Sequence, residues 1–436
     1  MTSSRRRVLV VTYHYPPSPA VGALRPAKFV KYLPDYGWDP IVLTIGTDHV
    51  DPTPHVASVI RTRVWRNAAE AAVAIRRRFQ RGTPVAQREP TFDERNSRIE
   101  TFPMKVKRLT TSLLNFPDGA AGWWGPAVIA GRRLLRETKC DALITTGPPH
   151  IAHLVGLALR RPGLRWIADL RDPWVGNPAR SHASRSVLSD YFEERAEAAV
   201  FRRASAIVTT TERLRQWLVN RYPEAADRVH TIVNGVDLED FDGARREPLS
   251  KFTIAHVGSV YYRRSPGPLF AAVRSLLDAG ALPRDGVSLV FAGDTADGID
   301  VTTLARQHGV VDLLQQPGRL SRPDALSLMA SAGALLLLAQ DQPLQVPAKA
   351  FEYIAVGRPI IALTGDGATA DTVREHCAGV AVPPEDGDSL KTALLDAYAD
   401  WKTQLVAGPA RRAVDPRLDR QRLAERLSTL LHGSVC

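Results

Sequence analysis

The sequence predicts an α/β protein of two doubly wound domains in succession, and three observations carry that prediction. Short apolar runs of strand length alternate with longer amphipathic stretches, the pattern of strand–helix–strand units on parallel sheets. The alternation pauses once, around the turn Asn234-Gly235-Val236-Asp237 and the polar stretch Glu239–Ser250, and then restarts. The chain is 436 residues long, more than one ordinary hydrophobic core serves. The expected layout is an N-terminal domain over 1–247, a C-terminal domain over 248–412, and a last helix over 413–436 packing back on the first domain. Two such domains are expected to face a cleft with the carboxyl ends of their strands, where ligands of doubly wound sheets bind.

The elements follow in order. In the first half Arg7–Thr12, Asp39–Ile45, Ala142–Thr146, Arg165–Leu170, Ala206–Thr210 and Val229–Val233 read as strands. Ala23–Asp35, Ala127–Thr138, His150–Arg160, Ser186–Arg203 and Thr211–Arg221 read as the helices between them. The second half offers strands at Thr253–Val257, Ser288–Ala292, Ala334–Ala339, Pro359–Thr364 and Val380–Val382. Its helices are Pro266–Ala279, Thr302–His308, Arg322–Ser331 and Pro347–Val356, with Arg417–His432 trailing. Val64–Arg108 is basic and poor in strand signals, and reads as an insertion of helix and loop.

Composition narrows the class. An apolar fraction of 44% and a charged fraction of 24% are those of a soluble globular protein. The opening MTSSRRRVLVVTYHYPP reads as a first strand rather than a signal peptide, because its apolar run breaks at Tyr13 to Pro17. Cys140, Cys377 and Cys436 have neither disulfide nor metal spacing, which predicts a reducing cytoplasm. Residues 1–250 hold 38 Lys and Arg against 26 Asp and Glu, whereas the remainder is nearly balanced. A basic first half favours acidic partners there, such as a phosphate-bearing acceptor or an anionic membrane surface. No nucleic-acid-binding motif accompanies it, so nucleic acid is not expected as a partner.

The residues just after each strand are the ones to weigh. Gly22 precedes a helix and permits close backbone approach to a phosphate, with Arg25 on that helix's first turn; a plain capping glycine is the alternative. No GxGxxG is present, which counts against a dehydrogenase. His150 and His153 open a helix after TTGPP; either suits acid–base work at a cleft, or simply caps and packs the helix. Asp169-Leu170-Arg171-Asp172-Pro173-Trp174 sets three charges after an apolar run, to meet a ligand or one another. There Trp174 is placed to cover a sugar face.

In the second half Gly258, followed by Arg263 and Arg264 and a proline-started helix, makes an anion pocket. The strongest segment is Pro347–Pro359. Lys349 lies in a helix's first turn, where a cation opposes the dipole unless an anion is bound. Glu352 is three residues on and could accept from a ribose diol; a surface Lys–Glu pair is the alternative. Two constellations are set aside. Asp240-Phe241-Asp242 follows a turn and reads as solvent-facing, and Glu193, Glu194 and Glu197 read as a solvated helix face.

Together the segments YPPSPAVGALR, TTGPPHIAHL, DLRDPW, VNGVDLEDF, HVGSVYYRRSP and PAKAFEYIAVGRPI resemble the retaining glycosyltransferases of family four, in their bacterial polysaccharide and cell-wall branch. The resemblance implies the GT-B architecture of two Rossmann-like domains and transfer from a nucleotide diphosphate sugar, without metal or other cofactor, to a glycan or lipid-linked acceptor. It implies that Gly22, Gly258, Arg263 or Arg264, and Lys349 attend the donor diphosphate, and that Glu352 holds the ribose. Asp172, with Arg171 and His150, would line the sugar and acceptor side. Many relatives carry a second glutamate eight positions before the one matching Glu352; here that position is Leu344. The rivals are a sugar-nucleotide epimerase on the same frame and a non-catalytic nucleotide-binding subunit. Lys105, Lys107 and Arg108, followed by Leu109, Leu113, Leu114 and Phe116 near Trp123-Trp124, read either as a surface for peripheral docking on the inner face of the plasma membrane or as an ordinary domain helix.

Overall fold

The computed structural model describes residues 5–46, 58–65, 116–176, 187–241, 247–260, 264–295, 299–407 and 415–433. The chain divides into two compact units. The first comprises Met1–Thr209, Val219–His230 and Leu427–Cys436; the second comprises Thr210–Leu218 and Thr231–Arg426. Most of the predicted basic insertion, and the predicted membrane segment from Lys105 to Leu114, lie outside the described residues, as does Arg263.

Unit 1 carries a seven-stranded sheet in the order β3-β2-β1-β4-β5-β6-β7. Its strands are β1 (Arg6–Thr12), β2 (Trp38–Ile45), β3 (Ser58–Thr62), β4 (Ala142–Gly147), β5 (Arg165–Leu170), β6 (Ala206–Thr209) and β7 (Val229–Thr231). The strand β1 pairs in parallel with β2 on one side and β4 on the other, so the winding reverses between β1 and β4. Its main helices are α1 (Leu24–Tyr32), α2 (Trp124–Thr138), α3 (Ile151–Leu159), α4 (Val187–Arg203) and α5 (Glu212–Arg221), whose first turns cluster with unit 2. The central strands are buried along nearly their whole length, because helices cover both faces of a parallel sheet.

Unit 2 repeats the plan in six strands, β10-β9-β8-β11-β12-β13. They are β8 (Phe252–Val257), β9 (Val287–Ala292), β10 (Leu314–Gln315), β11 (Ala334–Leu338), β12 (Ile360–Leu363) and β13 (Gly379–Val382). The helices are α6 (Gly267–Asp278), α7 (Val301–Gln307), α8 (Arg322–Ser331), α9 (Ala348–Val356), α10 (Ala368–Glu375), α11 (Gly387–Ala407) and α12 (Arg420–His432). Two-residue periodicity divides the core. Leu336 and Leu338 enter the layer that holds Phe270 and Trp401, and Leu335 and Leu337 the layer that holds Phe351 and Met329. The reversal here falls between β8 and β11.

Unit 2 takes up the chain at Thr231, ahead of the predicted boundary at 247/248. The reason is local: Val236 exchanges main-chain hydrogen bonds with Leu418 and Arg420, and the buried Asp237 lies 3.4 Å from the Arg420 guanidinium. The end of α12 clusters with unit 1, where Arg165 Nε donates to Leu430 O at 2.5 Å and the Trp38 ring packs against His432.

Two expectations for unit 1 need correction. Glu193 and Glu197 do not belong to a solvated face: both are buried, Glu197 completely. Glu197 accepts from Val175 N at 3.2 Å and from the Tyr222 hydroxyl at 2.8 Å, with Arg221 Nε 3.3 Å away. Trp123, offered for membrane docking, is also fully buried, donating to Thr62 Oγ1 at 2.8 Å; Trp124 is the exposed partner.

Burial pushes the Glu197 carboxyl up to about 7, with the nearby Glu193 adding to it against Tyr222, Val175 and Arg221. A carboxyl raised in the folded state stabilises the fold fully below its unfolded value and loses that contribution as pH rises through the folded value. The wild type is therefore expected to lose on the order of 2 kcal/mol between about pH 4.5 and 8 that Glu197→Gln does not lose. Thermal unfolding of the two proteins at pH 5 and pH 8 checks this; parallel pH profiles would contradict it.

Candidate functional site

In doubly wound sheets the crevice opens where the winding reverses, beyond the strand carboxyl ends. Each unit has one such place, and the predicted residues collect at them.

In unit 1 the loops after β1, β4 and β5 are tied by two arginines. Asp169, near the end of β5 and buried, receives Arg25 Nε and Nη2 on its carboxylate at 2.9–3.2 Å and the Thr146 hydroxyl at 2.7 Å. Burial alone would raise the Asp169 carboxyl, but Arg25 and Thr146 outweigh it and hold it below the usual carboxylate range. Arg25 also lies 4.7 Å over the Phe29 ring. Its partner is therefore internal, and it is not free on the first turn of α1. Arg171 is likewise spent on the backbone: its guanidinium donates to Gly147 O at 3.1 Å, Gly22 O at 2.7 Å and Pro148 O. A Cβ added at Gly22 would stand 2.8 Å from Arg171 Nη1, so what the missing side chain admits here is that guanidinium. Asp172, the next residue, is partly exposed.

The two histidines separate by environment. Thr145 Oγ1 takes the Trp166 indole N–H at 3.0 Å and faces His153 Nδ1 at 2.9 Å. Burial drives His153 down to about 3, and the ring has no exposed surface. It is a core residue, which leaves His150 as the acid–base candidate of the pair. His150 stacks flat on Trp174 with ring centres 5.0 Å apart. Trp174 is itself fully buried, so it does not present a face to a sugar as expected; it backs His150 instead.

In unit 2 the first turn of α9 meets the end of β8. Gly258 has φ +120°, and a Cβ there would stand 2.7 Å from Lys349 Nζ. Gly293 after β9 has φ +142°, and its Cβ would be 2.6 Å from the Gly258 carbonyl carbon. These two glycines let both loops and the lysine close on one another. Lys349 Nζ lies 3.0 Å from His256 Nε2, and His256 Nδ1 lies 2.9 Å from Leu336 O on β11. Arg264, buried ahead of α6, donates to Gln342 Oε1 at 2.8 Å. Removal from water lowers Lys349 to about 7; Arg264 adds to that and Glu352 opposes it. Tyr353 is fully buried, and its hydroxyl accepts from Val257 N at 2.8 Å, fastening α9 to β8.

Glu352 does not pair with Lys349. Its carboxylate receives Arg322 Nη1 at 2.5 Å, and the same guanidinium reaches Asp240 at 3.2 Å. Sequence reasoning passed over Arg322, Tyr353 and the role of His256. The cap Ser321-Arg-Pro-Asp324 marks where α8 begins and so where Arg322 sits, but not its partner. Lys349, Arg264 and the amino end of α9 together form a cationic recess of the kind that holds phosphate oxygens.

Residues 27–240 match Glycosyltransferase Family 4, and residues 239–414 match Glycosyl transferases group 1. Among curated proteins the chain is 27% identical over 228 residues to D-inositol 3-phosphate glycosyltransferase 1 of Catenulispora acidiphila, covering 49% of this chain and 52% of that one. The chain thus spans about half the length of the curated relatives it matches. Among solved structures it resembles sucrose-phosphate synthase of Thermosynechococcus elongatus, with TM-score 0.66 and 16% identity over 98% of this chain and 99% of that one. It also resembles an Anabaena protein solved in complex with UDP-glucose, with TM-score 0.61 and 15% identity over 98% of this chain and all of that one (100%). Two regions matched in succession, on sheets wound in this order, give the chain the two-domain fold of the GT-B glycosyltransferases.

Proposed function

We propose that the protein transfers a sugar from a nucleotide diphosphate sugar to a glycan or lipid-linked acceptor. The observation that carries this reading is that Lys349 stands against Gly258 within reach of the Arg264 charge, and that Glu352 follows on the same helix. The bond that breaks joins the anomeric carbon to the diphosphate, and negative charge grows on the leaving oxygens. Fixed cations in a poorly hydrated recess stabilise that charge more in the transition state than in the ground state. In this reading Arg263 or Arg264 shares the charge, the transfer retains configuration, and no metal is required. Glu352 turns from Arg322 to the ribose diol. Asp172, Arg171 and His150 attend the acceptor on unit 1.

The relatives' names favour nucleotide-sugar chemistry: one is an inositol-phosphate glycosyltransferase and one holds UDP-glucose. No described helix is long and apolar enough to cross a membrane. We place the protein in the bacterial cytoplasm, at an anionic membrane face during polysaccharide or cell-wall synthesis. Incubation with a panel of UDP-, GDP- and dTDP-sugars tests the proposal. One donor is expected to be hydrolysed or transferred, with activity unchanged by a chelator. An epimerised donor without acceptor, seen by NMR, would instead make the protein an isomerase.

A further inference from the structure

His256 stands where the strand order of unit 2 reverses, and its ring is completely buried. Its two nitrogens have different duties. Nδ1 meets a carbonyl oxygen, Leu336 O, which can only accept, so Nδ1 carries the proton. Nε2 is then a lone pair, and Lys349 Nζ donates to it at 3.0 Å. Phe291 packs against the ring, with 5.7 Å between centres. Burial holds the His256 ring well below its ordinary value; Lys349 whenever it is charged, and Arg264, add to this, and the backbone of Leu336 and Ser259 opposes it. The groups facing Lys349 are His256 from β8, Arg264 from the segment before α6, and Glu352 from its own helix, the last already bound to Arg322. The charge of Arg264 and the amino end of α9 both disfavour a second positive charge on Lys349.

We infer that His256 is a positioning residue: it holds Lys349 beside Gly258 as an uncharged amine until a nucleoside diphosphate converts it to an ammonium. The inference rests on the proposed donor site. The proton comes from solvent, and the amine becomes a three-donor cation against the phosphate oxygens while its N–H to His256 is kept. The recess is thus fully cationic only when occupied. Lys349 in the free protein sits near 7. A group that titrates near 7 when free and stays charged when bound leaves binding insensitive to pH below that point. Above it, affinity falls by about tenfold per pH unit. The nucleotide's own phosphate ionises near 6, so the slope between about pH 7.5 and 8.5, below the ionisation of the bases, reports the lysine.

Calorimetric titration of the full-length protein with UDP, GDP and dTDP, in two buffers of different ionisation enthalpy, tests this. At pH 8.5 the nucleotide that binds is expected to draw about one proton from the buffer, and Lys349→Met to draw none. His256→Phe removes the lone pair, so the lysine swings to water, stays charged, and binding loses both its proton uptake and its pH slope. His256→Gln restores an acceptor and is expected to recover them. Nucleotide binding without proton uptake, or with uptake unchanged in His256→Phe, overturns the inference and leaves the donor site standing. Failure of every nucleotide to bind overturns both.

Discussion

Lys349→Ala is expected to lower kcat by about 10²–10³-fold, the usual consequence of deleting one preorganised charge from a transition state. The donor's KM should change less, because charge on the leaving diphosphate is greater in the transition state than in the bound donor. Arginine is expected to be a poor replacement. Nζ already stands where a Cβ on Gly258 would meet it, and a planar guanidinium needs more room than an ammonium. Steady-state kinetics with the productive donor check both variants. A Lys349→Ala enzyme within threefold of wild type would remove this residue from the chemistry.

The second large effect concerns the frame. Asp169→Ala is expected to destabilise unit 1 by about 3–5 kcal/mol, because it strands the Arg25 guanidinium in the interior. Arg25 is 6% exposed and places its Nε and Nη2 on that carboxylate, so water offers it little relief. Removing both charges with apolar residues of similar size should recover much of the loss, since the pair's own net contribution is small. Hydrogen exchange of the β4 and β5 amides reads the outcome directly. Exchange in Asp169→Ala should be faster by about a hundredfold or more, and in the double variant nearer wild type. Equal exchange in wild type and Asp169→Ala would show that the pair does not secure these strands.

What could be read from the sequence follows a physical division. Strands buried on both faces are continuous apolar runs, so β1, β4, β5, β8, β9 and β11 were legible to within a residue or two at each end. The two that were missed, β3 and β10, are edge strands; β10 has only two residues and β3 is half exposed, so neither carries a strong apolar signal. The helices α10 and α11 were also left unassigned. For α11 the signal was present: Asp386 caps it through Ser389, and Leu390, Ala393, Leu394, Ala397 and Trp401 form its buried stripe.

The site divides in the same way. Lys349 and Glu352 share one helix turn, so their association with a strand end was visible locally. Arg25 with Asp169, and Gly22 with Arg171, are separated by 144 and 149 residues, and no local pattern joins them. Glu197 misled because the charges around it on α4 suggest water, while Tyr222 and Val175, which bury it, lie elsewhere in the chain. Periodicity tells which residues share a helix face; it does not tell which segment covers that face.

The central claim is that unit 2 grips a nucleoside diphosphate between Lys349, Arg264 and Glu352. The most direct measurement is a crystal structure of the protein with the nucleotide that binds best. The account predicts phosphate oxygens within about 3 Å of Lys349 Nζ and the Arg264 guanidinium. It also predicts the ribose hydroxyls on Glu352, in place of Arg322. A nucleotide bound away from Gly258, or one that leaves the Arg322–Glu352 pair closed and Lys349 untouched, would contradict it.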